Sequence, residues 1–391
     1  MHKYKITRIV ISYFLIEFNA AWIIQTLYFQ AIGLSFMQIG IIFGFYQAAK
    51  IAFDIPTGLL SDRHSKKTIT ILSIMLTILS LVIAIACKSF IGMIISISIY
   101  GIGYVMNTAA LSALIVDSVL EDAGNSITKV NSQTRISFYA SIASASLIAG
   151  YMSDNYSFEI VYIITIGLQI IAIFFTLLIP TVHSTQLENT AENITKVKVL
   201  KVVKYINANK KYRFLLLINI IFAIGYIPSD SYYMNILVEN GINLDFAGIV
   251  LAFQFIVSAS IALVILKFLK HRFDELILSF VPIFSVVLLI VFCLVPNIYI
   301  ATIFYVSQII LMCIFNPISS QHLHLNFNPK YRATALSLQT FVMSIIALAV
   351  QPIFGYLASI FSLRTALLPL FTVSLLLLIV NIVNLKKNQS T

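Results

Sequence analysis

The sequence predicts an all-α membrane protein of twelve transmembrane helices in two six-helix bundles, and three observations predict it. Apolar residues fill 60% of the 391 positions and charged residues 10%, with a mean hydropathy of +0.96. So few polar groups cannot cover a soluble globule of this size. A dozen apolar runs recur, each near the 20 residues or so that cross roughly 30 Å of hydrocarbon. Finally, 22 of the 25 Lys and Arg residues lie in alternate gaps between these runs: 1–8, 61–68, 119–135, 183–213, 267–274, 327–333 and the tail. Basic residues are retained in cytoplasmic loops during insertion, so the alternation places both termini in the cytoplasm and the chain in a bacterial inner membrane.

The runs justify the spans in order. The first, 8–30, follows Arg8 and carries no small-residue cleavage site before Asn19 and Gln25, so it is expected to stay as an anchor. The next five are 36–60, 68–87, 91–118, 132–152 and 158–181. The seventh, 213–237, contains Gly225-Tyr-Ile-Pro228-Ser ahead of Asp230, an interruption that suggests a broken helix near a pathway. The last five are 244–268, 275–295, 298–322, 332–355 and 365–385. Residues 1–182 then form an N-terminal bundle, 183–212 a hydrophilic cytoplasmic linker and 213–391 a C-terminal bundle, the plan of a duplicated unit. The direct trace of duplication is weak. The loop Lys267-Phe-Leu-Lys270-His-Arg272-Phe-Asp274 sits where the loop after the second span would recur, without its glycine.

The formal charge of +10 is spread over seven short loops and not gathered on one face, which excludes a nucleic-acid partner. Its role is orientation against anionic lipid. Cys87, Cys293 and Cys313 stand singly in apolar runs, with no disulfide or metal spacing. His322 and His324 close the tenth span and make no metal site by themselves.

Between the second and third spans the chain reads Asp54-Ile-Pro56-Thr57-Gly58-Leu-Leu-Ser-Asp62-Arg63-His64-Ser65-Lys66-Lys67. This resembles the major facilitator superfamily signature G-x-x-x-D-R-x-G-R-K: Gly58, Asp62, Arg63 and Lys67 match, Lys66 stands for Arg, and Ser65 replaces the second glycine. Ala113-Leu-Ile-Val-Asp117-Ser118, Asn328-Pro-Lys-Tyr-Arg332 and Pro352-Ile-Phe-Gly355 are similar to bacterial drug/proton antiporter-like subgroups of that superfamily. The chain departs from the drug exporters in two places. Ser96–Gly101 of the fourth span has no Arg, and Ala143–Gly150 of the fifth has no Gly-Pro element. Gly58 permits close helix approach, and Asp62 is placed to face the positive end of a neighbouring helix. The resemblance implies that this neighbour is the eleventh span near Arg332. Gly58, Asp62, Arg63, Lys66, Lys67, Asp117 and Arg332 are therefore expected to form a conformational latch.

Charges inside the membrane are costly unless paired or wet. Glu17 lies about 14 Å into the first span, and Lys50 and Asp54 about 18 and 12 Å into the second, at 1.5 Å per residue. Two acids and one base at similar depth point to a polar cavity in which one acid neutralises Lys50 and the other takes a proton or a cationic substrate; a buried ion pair joining helices is the alternative. Glu17, which must reach Lys50 across a helix interface, is expected to be the acid that carries the proton. Arg135 and Asp230 are second candidates. Asn19, Gln25, Gln47, Asn107, Gln254, Gln308, Asn316 and Gln339 are amides able to line a cavity or bond between helices.

The function these readings favour is alternating-access secondary transport, with proton-coupled export of amphipathic small molecules ahead of uptake or exchange of a small polar or anionic metabolite. No nucleotide-binding Gly-x-x-x-x-Gly-Lys loop and no nucleophile or metal constellation occurs, so neither an ATPase nor a membrane enzyme is expected. The expected partners are a small molecule, protons and the lipid bilayer around a monomer. No cofactor is expected, the proton gradient being the energy source.

Overall fold

A computed structural model describes residues 2–120, 127–179, 199–268, 274–326 and 329–387. Among the described residues, twelve helical stretches of 18 to 26 residues are long and apolar enough to cross a bilayer. The described residues form sixteen helices, of which α9 and α11 lie outside those stretches: α1 (His2–Glu17), α2 (Ala20–Ile23), α3 (Gln25–Ala31), α4 (Phe36–Arg63), α5 (Lys66–Ala86), α6 (Phe90–Leu120), α7 (Ile127–Asn155), α8 (Phe158–Leu177), α9 (Val199–Ala208), α10 (Lys210–Ser231), α11 (Tyr233–Glu239), α12 (Leu244–Phe268), α13 (Asp274–Leu294), α14 (Ile298–Asn326), α15 (Pro329–Ile360) and α16 (Leu363–Lys387). The first span is three helices and not one, and the end of the hydrophilic 183–212 stretch is the helix α9.

The chain divides into two compact units, Met1–Thr185 with Met234–Ile256, and Gln186–Tyr233 with Val257–Thr391. In the first, α1 packs against α7 and α8, and α5 against α6 and α8. Ile9, Leu15 and Ile16 of α1 meet Ile74, Leu111, Leu114 and Ala172 in a buried cluster. Lipid tails are as apolar as these side chains, so polar groups and close packing must add the specificity. Ser137 and Ser141 of α7 donate to the Val10 and Phe14 carbonyls at 3.1 and 2.8 Å, and Ser12 meets Thr176 at 2.8 Å. Gly150 of α7 and Gly248 of α12 cross so closely that a Cβ on Gly248 would stand 2.6 Å from the Ser146 carbonyl oxygen. Small residues permit this crossing and larger ones would not.

In the second unit, α10 packs against α15 and α16, and α13 against α14 and α16. Ser374 donates to the Ile221 carbonyl at 3.2 Å and Asn381 to that of Phe214 at 3.2 Å. Asp274 at the start of α13 meets His322 of α14 at 2.9 Å.

The backbone carries the duplication that the residues barely show. Gly33 and Gly241, both at φ 90, are 208 positions apart (241 − 33 = 208). Ile24 and Tyr232, which split the first and seventh spans with φ/ψ of −103/7 and −110/9, keep that interval. So do the starts of α5 and α13, their ends, and the starts of α6 and α14. From α8 and α16 onward the interval is 205 (363 − 158 = 205). Backbone geometry outlasts side-chain identity here because a hydrocarbon-spanning helix accepts almost any apolar residue.

Candidate functional site

The site grows from a break in the first span. The Phe18 N–H still reaches the Phe14 carbonyl at 3.0 Å, and there the helix stops. Asn19, at φ −135 and ψ 78, accepts from the Trp22 N–H at 3.1 Å and so starts α2. Its amide donates to the Tyr100 hydroxyl at 3.0 Å. Stopping a helix inside hydrocarbon frees carbonyls that cost several kcal/mol each if left bare. Gln169 of α8 answers them: its Nε2 lies 3.3, 3.1 and 3.0 Å from the carbonyl oxygens of Leu15, Ile16 and Phe18.

Glu17 is the last residue of α1. Its carboxylate therefore sits at the carbonyl end of a helix, where the backbone dipole opposes negative charge and favours a proton or a cation. The Asn107 amide of α6 interacts with it. Among the described residues no Lys or Arg nitrogen comes within 4.0 Å of it. A cavity of about 60 Å³ opens beside it, lined by Asn19 and Gln169 at the break, Ser73 and Thr77 of α5, and Tyr100, Tyr104 and Asn107 of α6. That is room for a few waters, with polar partners on several sides.

Lys50 goes elsewhere. Its ammonium stands 5.0 Å from the centre of the Tyr46 ring and 5.2 Å from that of Tyr104. Asp54 acts on it electrostatically from beyond 4.0 Å and is exposed. Trp22 stacks on Tyr100 at 5.1 Å and meets Tyr46 at 5.3 Å, so the ring cluster holding Lys50 joins the break holding Glu17. A cation over aromatic faces gains about 0.5–2 kcal/mol, the larger figure when desolvated. The structure thus joins Lys50 with Asp54 and two tyrosines, and Glu17 with Asn107; it does not pair Lys50 with Glu17.

The other expected residues are scattered. Asp230, next to last in α10, accepts from the Tyr226 hydroxyl at 3.3 Å; α10 runs through Pro228 and breaks only at Tyr232. Arg135 is exposed, and its field is felt at Tyr13. Lys66 donates to the Ser61 carbonyl, and Lys67 to those of Leu177 and Ile179 at 2.6 and 2.8 Å, tying α5 to the end of α8. Gly58 has open space around it. The side chains of Asp62, Arg63, Asp117 and Arg332 lie outside the described residues. Gln25 and Gln47 are buried, Gln254 and Gln308 deeply so, while Asn316 is exposed. Gln339 borders a groove between α9, α10 and α15.

The expected set omitted Gln169, Ser73, Thr77, Trp22, Tyr46, Tyr100 and Tyr104. One signal was legible: Tyr100, Tyr104 and Asn107 are spaced to share a helix face. Gln169 was not, because its importance depends on the break it covers.

Residues 9–305 match the family model described as Major Facilitator Superfamily. An uncharacterized transporter of Buchnera aphidicola subsp. Schizaphis graminum is 32% identical over 41% of this chain and 40% of its own length. One from Buchnera aphidicola subsp. Acyrthosiphon pisum is 30% identical over 35% of each. The chain thus spans about two fifths of these curated relatives or less. Among solved structures, the nucleoside transporter NupG superposes with a TM-score of 0.77 at 16% identity, over 96% of this chain and 98% of that one. A POT family transporter superposes at 0.72 with 12% identity, over 96% and 94%.

Proposed function

The chain belongs to the major facilitator superfamily, and on that premise we propose that it couples proton movement to export of amphipathic small molecules, with Glu17 as the proton-carrying group. The class is that of secondary transporters working by alternating access. The observation that carries the coupling assignment is the placing of Glu17: a carboxylate at the carbonyl end of a broken helix, beside a small polar cavity, with no Lys or Arg nitrogen within 4.0 Å among the described residues. Such a group gains from protonation and has space to receive the proton. Asp54 has Lys50 in its field and is the poorer carrier.

The superfamily fold serves proteins named for nucleosides and for peptide conjugates alike, so the substrate must be read from side chains. A groove of about 470 Å³ runs between α1 and α7, a size suited to a small organic molecule. Its walls include Val10, Ile11, Phe14 and Ile136, with Ser137 and Gln133 as polar points, and the Gln133 Oε1 is buried without a partner. Apolar walls with one unmet acceptor suit an amphipathic molecule that carries a hydrogen-bond donor.

The test is flux in everted vesicles and proteoliposomes with an imposed pH gradient. The wild-type protein should accumulate an amphipathic substrate in everted vesicles as protons leave. Glu17→Gln should lose accumulation yet keep downhill exchange. Unchanged accumulation and pH dependence in Glu17→Gln would move the role to Asp54 or Asp230, and accumulation only in right-side-out vesicles would establish uptake.

A further inference from the structure

We propose that the cavity beside Glu17 also binds a partly dehydrated monovalent metal cation of about the size of Na⁺, in competition with the proton for the same carboxylate. The inference rests on the coupling role given to Glu17 and adds a second ion to it.

The walls are rich in acceptors. The Ser73 hydroxyl spends its proton on the Thr70 carbonyl at 2.7 Å, and Thr77 spends its own on the Ser73 carbonyl at 3.1 Å, so both turn lone pairs to other partners. The Asn107 Oδ1 is buried with no partner. The carbonyl of Ile16, a lining residue, shares the two protons of the Gln169 amide group with the Leu15 and Phe18 carbonyls, which leaves it a lone pair over. The phenol protons of Tyr100 and Tyr104 are donors in the lining. One formal negative charge ringed by neutral oxygens is the donor set of a hard monovalent ion. Divalent ions draw on more carboxylates, and among the described residues no group of three or more His, Cys, Asp or Glu is placed to hold a metal.

Size separates ion from substrate. The cavity measures about 60 Å³, whereas sites for organic ligands run to about 300–1,000 Å³. An ion with a water or two fits; a substrate head group with its scaffold does not.

The charged and titratable groups around Glu17 come from several helices. Tyr13 of α1 and Tyr100 and Tyr104 of α6 feel its field. Lys50 of α4 stands over the Tyr104 ring, and Arg135 of α7 acts on Tyr13. At the cavity, α5 contributes Ser73 and Thr77 and α8 contributes Gln169, all neutral.

Binding of ²²Na⁺ to the purified full-length protein tests the proposal, with choline replacing Na⁺ at constant ionic strength. The chain has one tryptophan, Trp22, stacked on Tyr100 of the lining, so its fluorescence gives a parallel reading. Saturable binding of one Na⁺ is expected at mildly alkaline pH, weakened about tenfold or more at mildly acidic pH because the ligand must be deprotonated. Glu17→Gln should abolish it, and Asn107→Leu should weaken it several-fold in protein whose elution and thermal unfolding show it folded. Absence of saturable ²²Na⁺ binding to the wild type, or binding that survives Glu17→Gln, overturns the proposal. Loss of proton-driven accumulation in Glu17→Gln with no Na⁺ binding leaves the coupling reading standing alone. Glu17-dependent Na⁺ binding with proton-driven accumulation intact in Glu17→Gln does the reverse.

Discussion

The two halves share a backbone and differ in chemistry. At the 208-residue interval, Glu17 of the first unit corresponds to Gly225 of the second, Lys50 to Ser258, Ser73 to Val281 and Asn107 to Phe315. At these four positions the second half is small, neutral or apolar, and its own acid, Asp230, stands instead where the first half has Trp22 (230 − 22 = 208). Local packing makes this more than drift. A Cβ placed on Gly225 would run into the ring of Phe371, while the matching stretch of α8 offers Ile166 and Gly167. The second unit is closed to an acid at that position before any question of charge arises. One scaffold serves both halves, and a single helix face is open beside Glu17 in one and filled by Phe371 in the other.

The sharpest way to break this comparison is to graft the acid across. Gly225→Glu must displace Phe371 and bury a charge, costs of about 1–3 kcal/mol for overpacking and several more for the carboxylate. A large fall in recovered folded protein and in Tm is expected, with part of the loss restored by adding Phe371→Ala. A Gly225→Glu protein with the wild-type Tm would show that packing does not distinguish the halves.

A smaller contrast lies where Glu159 and Arg364 occupy matching positions at the 205-residue interval. In the first unit Glu159 meets Lys88 at 2.6 Å, with both side chains substantially exposed. In the second, Arg364 is 8% exposed and donates to the Phe292 and Val295 carbonyls at the end of α13. Charged hydrogen bonds to buried acceptors are worth about 1.5–3 kcal/mol, an exposed pair at most about 1. Arg364→Ala should therefore lower stability by about 2–3 kcal/mol in reversible detergent unfolding, and Lys88→Ala by about 0.5 or less. Equal losses would show that burial does not strengthen the Arg364 hydrogen bonds over the exposed Lys88–Glu159 pair.

The smallest effect sharpens the account of the break. Gln169 and Ser374 also stand at matching positions, but Gln169 serves three carbonyls of an interrupted helix and Ser374 one carbonyl of a continuous one. Gln169→Leu should cost about 1–3 kcal/mol and Ser374→Ala about 0.5–1. Reversal of that order in thermal unfolding would show that Gln169 does not support the helix end at Glu17.

Much was decided by the residues alone, because a bilayer imposes constraints that can be read in one dimension. Span length follows from hydrocarbon thickness, and apolar runs interrupted by basic gaps announce twelve crossings. The unusual charges Glu17, Lys50 and Asp54 stood out for the same reason: in such a background an acid or a lysine is a rare event. What only the tertiary structure decided was who meets whom. Depth along a helix placed Glu17 and Lys50 together, but azimuth and the break at Phe18–Asn19 send Lys50 to Tyr46 and Tyr104 and leave Glu17 with Asn107. The break depends on Gln169, some 150 residues away, supplying protons to the carbonyls it frees. The backbone repeat, nearly invisible in the residues, appears once φ/ψ are known at Gly33 and Gly241. Hydropathy is a property of each residue and survives translation into sequence; partnership is a property of pairs brought together by packing, and no local pattern encodes it.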